Sequence, residues 1–148
     1  MNIDVKIKLL RKGATAPVYA TPGSAAADLR ACIDAPVTLN CGEIVSLPTG
    51  IAISTGRSDI AAFIYGRSGL GTKYGVTLAN SVGVVDSDYR GEICVSLINR
   101  GSEPYTVNPG DRVAQLMFSP VYTAAFAETE LLDETGRGSG GFGSTGTN

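Results

Sequence analysis

Residues 37–54 read "VTLNCGEIVSLPTGIAIS". Three short apolar runs are separated by Asn40-Cys41-Gly42 and Pro48-Thr49-Gly50. Val, Ile and Thr suit a pleated, half-buried backbone, and Asn-Cys-Gly and Pro-Thr-Gly are turn chemistry. The stretch therefore predicts short strands joined by tight turns.

The same grammar extends in both directions. Ile3, Val5, Ile7 and Leu9 alternate with Asn2, Asp4, Lys6 and Lys8, which predicts a half-buried strand. "DIAAFIYG" (59–66) and "YGVTLA" (74–79) are further short apolar runs bounded by glycine. In "EICVSLINRG" (92–101) both alternating sets are apolar or small, which predicts a strand buried on both faces. "DRVAQLMFSPV" (111–121) is another strand, interrupted by Pro120. No amphipathic helix of three turns is visible, and the only short helical candidate is "RSGLGTKYG" (67–75). With 19 glycines and 7 prolines punctuating these runs, the pattern predicts an all-β sandwich or barrel. Periodicity is lost from about residue 133, so the reading divides the chain into a β domain over 1–132 and a Gly-rich tail over 133–148.

Composition limits the function. A chain of 148 residues, 43% hydrophobic, is enough for one domain with a real core. Twelve Lys+Arg against 14 Asp+Glu provide no global basic face for a nucleic-acid duplex. Asp4, Lys6 and Lys8 stand where a signal peptide would be apolar, and no run of eighteen apolar residues exists to span a membrane. Cys32, Cys41 and Cys94 lack C-x-x-C spacing and read as free thiols, which points to the cytoplasm. The chain has no His and no Trp. Ser-His-Asp and Cys-His chemistry and His-ligated zinc are thereby excluded. An enzymatic base would be a carboxylate before Lys, Tyr or Cys, and a metal would be a hard cation on oxygen ligands.

Several stretches invite chemistry. Gly138, Gly140 and Gly143 spell G-x-G-x-x-G, but only five residues follow Gly143 and no helix can form there to hold a pyrophosphate. As a bare pattern the tail is a disordered terminus. In "GVVDSDYRG" (83–91) the match to a calcium loop fails at Arg90 and Leu97. Alone, D-S-D-Y is an ordinary polar turn; yet Asp86 follows an apolar run, where partial desolvation would make it a better base. Tyr89 could stack on a ring or sugar. "GRSGLGTKYG" (66–75) is neither a P-loop nor a nucleophile elbow. Arg67, Ser68 and the exposed backbone at glycine suit phosphate oxygens, though an ordinary Gly-rich turn would look the same. Asp28 lies in a small-residue strand and Gln115 in an apolar one, and each alone is a weak signal.

In combination the signal is specific. "GSAAADL", "GRSGLG", "NSVGVVDSDYRGEI", "GDRVAQL" and "RGSGGFGSTG" occur in that order between about residue 14 and residue 146. Their order and spacing resemble the five motifs of the trimeric dUTP diphosphatases (dUTPases). The resemblance implies a distorted jelly-roll-like β-barrel subunit, a homotrimer with sites between subunits, and Mg²⁺-dependent cleavage of dUTP to dUMP and pyrophosphate. That activity keeps uracil out of DNA and supplies dUMP for thymidylate synthesis.

By the same resemblance Asp86 matches the catalytic base. Asn80 and the backbone near Gly83 match the hairpin that reads uracil, and Tyr89 the ring that packs on deoxyribose and excludes a 2′-hydroxyl. Arg67, Ser68, Gly69 and Gln115 match phosphate contacts. Asp28 matches the carboxylate that acts on Mg²⁺ through water, the metal being held mainly by the triphosphate. In the tail, Arg137 matches the γ-phosphate arginine, Phe142 the ring covering uracil, and Ser144 and Thr145 further phosphate donors, so that the tail becomes a lid in trans. Ala26 and Gly66 depart from the family's usual glycine and proline, and Arg112 follows the pattern with no functional role assigned to it. The related dCTP deaminases and a non-enzymatic nucleotide-gated switch are the competing readings; the D-S-D-Y-R-G block and the tail favour the triphosphatase.

Overall fold

The computed structural model of the chain describes residues 2–141, and among them the regular structure is eleven strands and one short helix. The strands are β1 (Lys6–Leu9), β2 (Ala27–Arg30), β3 (Val37–Leu39), β4 (Ile44–Pro48), β5 (Ile51–Ser54) and β6 (Ile60–Tyr65). After α1 (Ser68–Tyr74) follow β7 (Val76–Leu78), β8 (Gly83–Val85), β9 (Cys94–Asn99), β10 (Tyr105–Val107) and β11 (Arg112–Pro120). Every ladder is antiparallel, in the orders β2-β11-β6-β8, β4-β9-β7, β1-β5 and β10-β3. The fold is the expected jelly-roll-like β fold in distorted form, with ladders that do not close into one continuous barrel.

The turns of residues 37–54 fall where the sequence puts them, between β3, β4 and β5. The single helix occupies the one helical candidate. Leu29, Leu39, Leu47, Ile51, Leu97 and Leu116 are among the least exposed side chains and belong to one core. Polar groups inside this core are satisfied: Asn99 donates from Nδ2 to the carbonyls of Leu39 (3.0 Å) and Glu103 (2.8 Å) and accepts the Gly101 amide at Oδ1 (2.8 Å). An unpartnered amide at that depth would cost about 1–3 kcal/mol.

Two strands differ from expectation. β1 is exposed along its whole length, with Ile7 at 40% and Leu9 at 53%, because among the described residues it pairs only with β5 and no second layer covers its apolar side. In β9 only one face is buried: Val95 and Leu97 are inside, whereas Cys94 is exposed and Ser96 and Ile98 are half-buried. A double-apolar alternation marks surface that can be covered, and one chain covers only half of it.

Candidate functional site

The first half of the site is built by strand register. Gln115 of β11 stands opposite Asp28 of β2 on one side and Tyr65 of β6 on the other. Two residues after Tyr65 comes Arg67, which precedes α1 in an extended conformation. Asp28, nearly buried, accepts a 2.9 Å hydrogen bond from Arg112 NH1 at Oδ2, while Arg67 Nε lies 3.7 Å from Oδ1. Arg67 NH1 in turn donates to the Arg112 carbonyl at 2.8 Å. Arg112 thus holds the aspartate with its side chain and the second arginine with its backbone. The β11–β2 register slips between Arg112 and Ala114, a local irregularity of the kind that re-aims a side chain at a strand end. Ser68 and Gly69 open α1, so their amides fall outside the helix's own ladder. A side chain at Gly69 would meet nothing within 4 Å, so its backbone is open to approach.

The second half is the loop between β7 and β8, which belong to different sheets, together with β8 and the turn that follows it. Asn80 sits at the exposed tip, where the Val82 amide donates back to the Asn80 carbonyl at 2.7 Å. Ser81 has φ 64°, the only positive φ outside glycine among the described residues. A non-glycine residue in this left-handed region is uncommon and costs roughly 1–2 kcal/mol. Gly83 pairs with Ile64, and a Cβ there would come to 3.0 Å from the Ile64 Cβ, so a side chain at this position would force Ile64 to give way. Asp86 follows β8 and is exposed, as is Tyr89 at 46%. The expected desolvation of Asp86 is therefore not supplied by packing among the described residues: in the apolar run before it Val85 is buried but Val84 is 62% exposed, and the carboxylate emerges beyond its end.

Within the β6–β8 ladder, Asp86 and the arginine cluster lie toward opposite ends. Val85 pairs with Ala62 and Gly83 with Ile64. Asp86 therefore lies level with Ala61, while the arginine cluster begins beyond Tyr65, four strand steps or about 14 Å away. In the tail, Arg137 Nε donates to the Gly140 carbonyl at 2.8 Å, within a turn that also joins the Gly138 amide to Thr135. Phe142, Ser144 and Thr145 lie outside the described residues.

Among the described residues no cluster of three or more His, Cys, Asp or Glu could hold a metal. Asp28 gives one oxygen to Arg112, and its other oxygen faces Arg67 at more than hydrogen-bond distance. Such a carboxylate can still accept from metal-bound water, and that fits Mg²⁺ carried on phosphates better than a protein cage.

Glu92 escaped the sequence reading. Its carboxylate accepts the Gly50 amide (2.8 Å) at Oε1 and pairs with Arg11 at Oε2, and its carbonyl accepts Tyr89 OH at 2.9 Å. The acid after Arg-Gly in "DYRGEI" was the available signal, but contacts 42 and 81 residues away are invisible in one sequence.

The fold and the site define a β-fold protein with a paired arginine–aspartate cluster beside a helix start and, apart from it, an exposed carboxylate and aromatic ring after β8. The sequence model of the dUTPase family matches residues 12–146. A deoxyuridine 5'-triphosphate nucleotidohydrolase of Desulfitobacterium hafniense is 54% identical over 147 residues, covering 98% of this chain and 97% of the relative. The protein of that name from Coxiella burnetii is 51% identical over 152 residues, with both chains fully covered. Solved structures agree in fold. A mutant of the Staphylococcus bacteriophage 80alpha dUTPase with dUpNHpp gives a TM-score of 0.88 at 22% identity, covering 97% of this chain and 99% of that one. A mutant dUTPase of phage phi11 of S. aureus, described with a structural Mg(II) ion, gives 0.79 at 20% identity, covering 88% and 99%. The chain belongs to the dUTPase family.

Proposed function

We propose that this chain hydrolyses dUTP to dUMP and pyrophosphate with Mg²⁺, as a dUTP diphosphatase, in sites assembled between the subunits of a homotrimer. The observation that carries the reading is the separation just described. A prearranged cluster for phosphates and a carboxylate suited to be the base are both present, but one chain holds them at opposite ends of the β6–β8 ladder. Bringing Asp86 from one subunit to the cluster of another completes a site. Tyr122, Phe126, Leu131 and Leu132, each at least 84% exposed, are apolar surface that such an assembly would cover.

In this mechanism Asp86 takes the proton of a water as its oxygen bonds to the α-phosphorus, and the bond from that phosphorus to the pyrophosphate oxygen breaks. Arg67 offers a guanidinium already oriented by Asp28 and the Arg112 carbonyl, so little reorganisation accompanies charge development. The Ser68 and Gly69 amides and Gln115 add phosphate donors. Mg²⁺, when bound, neutralises phosphate charge, with Asp28 reaching it through water. Asn80 and the backbone near Gly83 hydrogen-bond uracil, and Tyr89 packs on deoxyribose. Residues 133–148 act as the lid on the β domain of residues 1–132: Arg137, Ser144 and Thr145 close on phosphate and Phe142 on the base, excluding water. The reading places the enzyme in the cytoplasm, supplying dUMP for thymidylate synthesis and keeping uracil out of DNA; no helix among the described residues is long and apolar enough to cross a membrane.

Incubation with each nucleoside triphosphate and Mg²⁺, with pyrophosphate and base both analysed, tests this. Pyrophosphate from dUTP alone is the expected result. Ammonia from dCTP would transfer the chain's activity to deamination.

A further inference from the structure

The selectivity expected of Tyr89 needs the ring to be held still, and the chain carries a device for this outside the residues that would touch substrate. Tyr89 folds back over Gly91: a Cβ at Gly91 would fall 2.6 Å from Tyr89 Cζ and closer still to its hydroxyl. The hydroxyl donates to the Glu92 carbonyl at 2.9 Å. The same glutamate is fixed by its carboxylate to the Gly50 amide and to Arg11. Gly50 is itself closely packed. Its φ is +72°, and a Cβ there would lie 2.6 Å from Ala14 Cβ and 2.8 Å from Cys32 Sγ. The ring is thus tied through one peptide unit to the turn between β4 and β5 and to the segment that follows β1.

We propose that Gly91 and Glu92 are positioning residues that set the preference for a deoxyribonucleotide over a ribonucleotide by fixing the Tyr89 ring. The proposal rests on the reading that Tyr89 faces the sugar. An unanchored ring would still bury the sugar but could swing aside to admit a 2′-hydroxyl. A shift of about 1 Å in a group that excludes an atom by contact is enough to change selectivity by an order of magnitude or more.

Gly91→Ala is the clean probe. Gly91 has no positive φ, and the atoms a methyl would strike are the far end of the tyrosine, so the ring moves and the backbone stays. The measurement is the ratio of kcat/KM for dUTP over UTP in the full-length wild type, Gly91→Ala, Tyr89→Ala and the double variant. Gly91→Ala is expected to narrow the ratio about tenfold, chiefly by admitting UTP, and to add nothing further in the Tyr89→Ala background. Glu92→Ala is expected to narrow it in the same way, whereas Glu92→Gln, which keeps an acceptor for the Gly50 amide, holds the ratio within about twofold of wild type. If Tyr89→Ala narrows the ratio and Gly91→Ala does not, the inference is overturned while the function stands. The inference is also overturned if Gly91→Ala narrows the ratio equally with and without the tyrosine. A ratio insensitive to Tyr89→Ala, or a wild type that does not prefer dUTP, removes the reading beneath it.

Discussion

The Asp28–Arg67–Arg112 cluster and the arm from Tyr122 to Gly141 are held by opposite means. Asp28, Arg112 and Gln115 are placed by strand register, with partners far apart in sequence: Arg112 binds Asp28 across 84 residues and Arg67 binds Arg112 across 45. The arm follows the last strand, and its own hydrogen bonds, such as Thr129 Oγ1 to Leu131 and Arg137 to Gly140, span no more than three residues. One region has its geometry before any ligand arrives. The other has only local turns, and its apolar side chains stand in water. The difference separates what a single chain preorganises from what it leaves open for a ligand or partner.

The largest test of this division concerns the base. Asp86→Asn keeps the shape of an exposed side chain and removes its basicity. Turnover of dUTP is expected to fall by roughly 10²–10⁴, with nucleotide affinity kept within about tenfold. Near-normal pyrophosphate release from this variant would remove Asp86 from its role. Truncation after Asp133 comes next. It deletes Arg137 and the rest of the lid but, among the described residues, no buried side chain. Turnover should fall about 100-fold with the melting temperature unchanged, since water exclusion and one charged contact are lost while the core is untouched. A drop in melting temperature comparable to that of a core deletion would erase the contrast between cluster and arm.

Asp28→Ala probes the other side of the comparison. Removing a nearly buried carboxylate leaves Arg112 and Arg67 without their shared partner, at a cost of about 1–3 kcal/mol in unfolding free energy. Stability and turnover should fall together here, unlike in the truncation. The smallest effect concerns Cys94, exposed at its surface yet partly desolvated by its neighbours; that desolvation first, and then the Glu92 carboxylate, push its thiol above the ordinary range. A folded-state pKa raised in this way disfavours the thiolate in the folded chain; stability is undiminished at neutral pH and is lost as pH rises through the raised value. Alkylation at pH 8 should therefore be slower at Cys94 than at Cys41, with the gap closing in stronger alkali.

Much of this was legible in the sequence because β grammar is local. Asn40-Cys41-Gly42 and Pro48-Thr49-Gly50 placed their turns, and "RSGLGTKYG" placed the helix. What failed was burial: β1 and β9 alternate like covered strands, yet hydrophobicity does not say whether the cover comes from the same chain. The motifs marked Asp28, Arg67 and Gln115, but not that Arg112 binds two of the three sites' residues together. Glu92 was silent for the same reason, since its partners at Gly50 and Arg11 come from distant turns.

The central claim is that base, cluster and lid of one site come from more than one chain, and mixed assembly tests it most directly. Tail-less subunits retain Asp86, and Asp86→Asn subunits retain the tail. Co-refolded at varied ratios and verified as mixed trimers, they are predicted to hydrolyse dUTP faster than either parent, with a maximum at intermediate composition. Activity no greater than the weighted sum of the parents in such trimers would contradict the account, even with dUTP hydrolysis by the wild type confirmed.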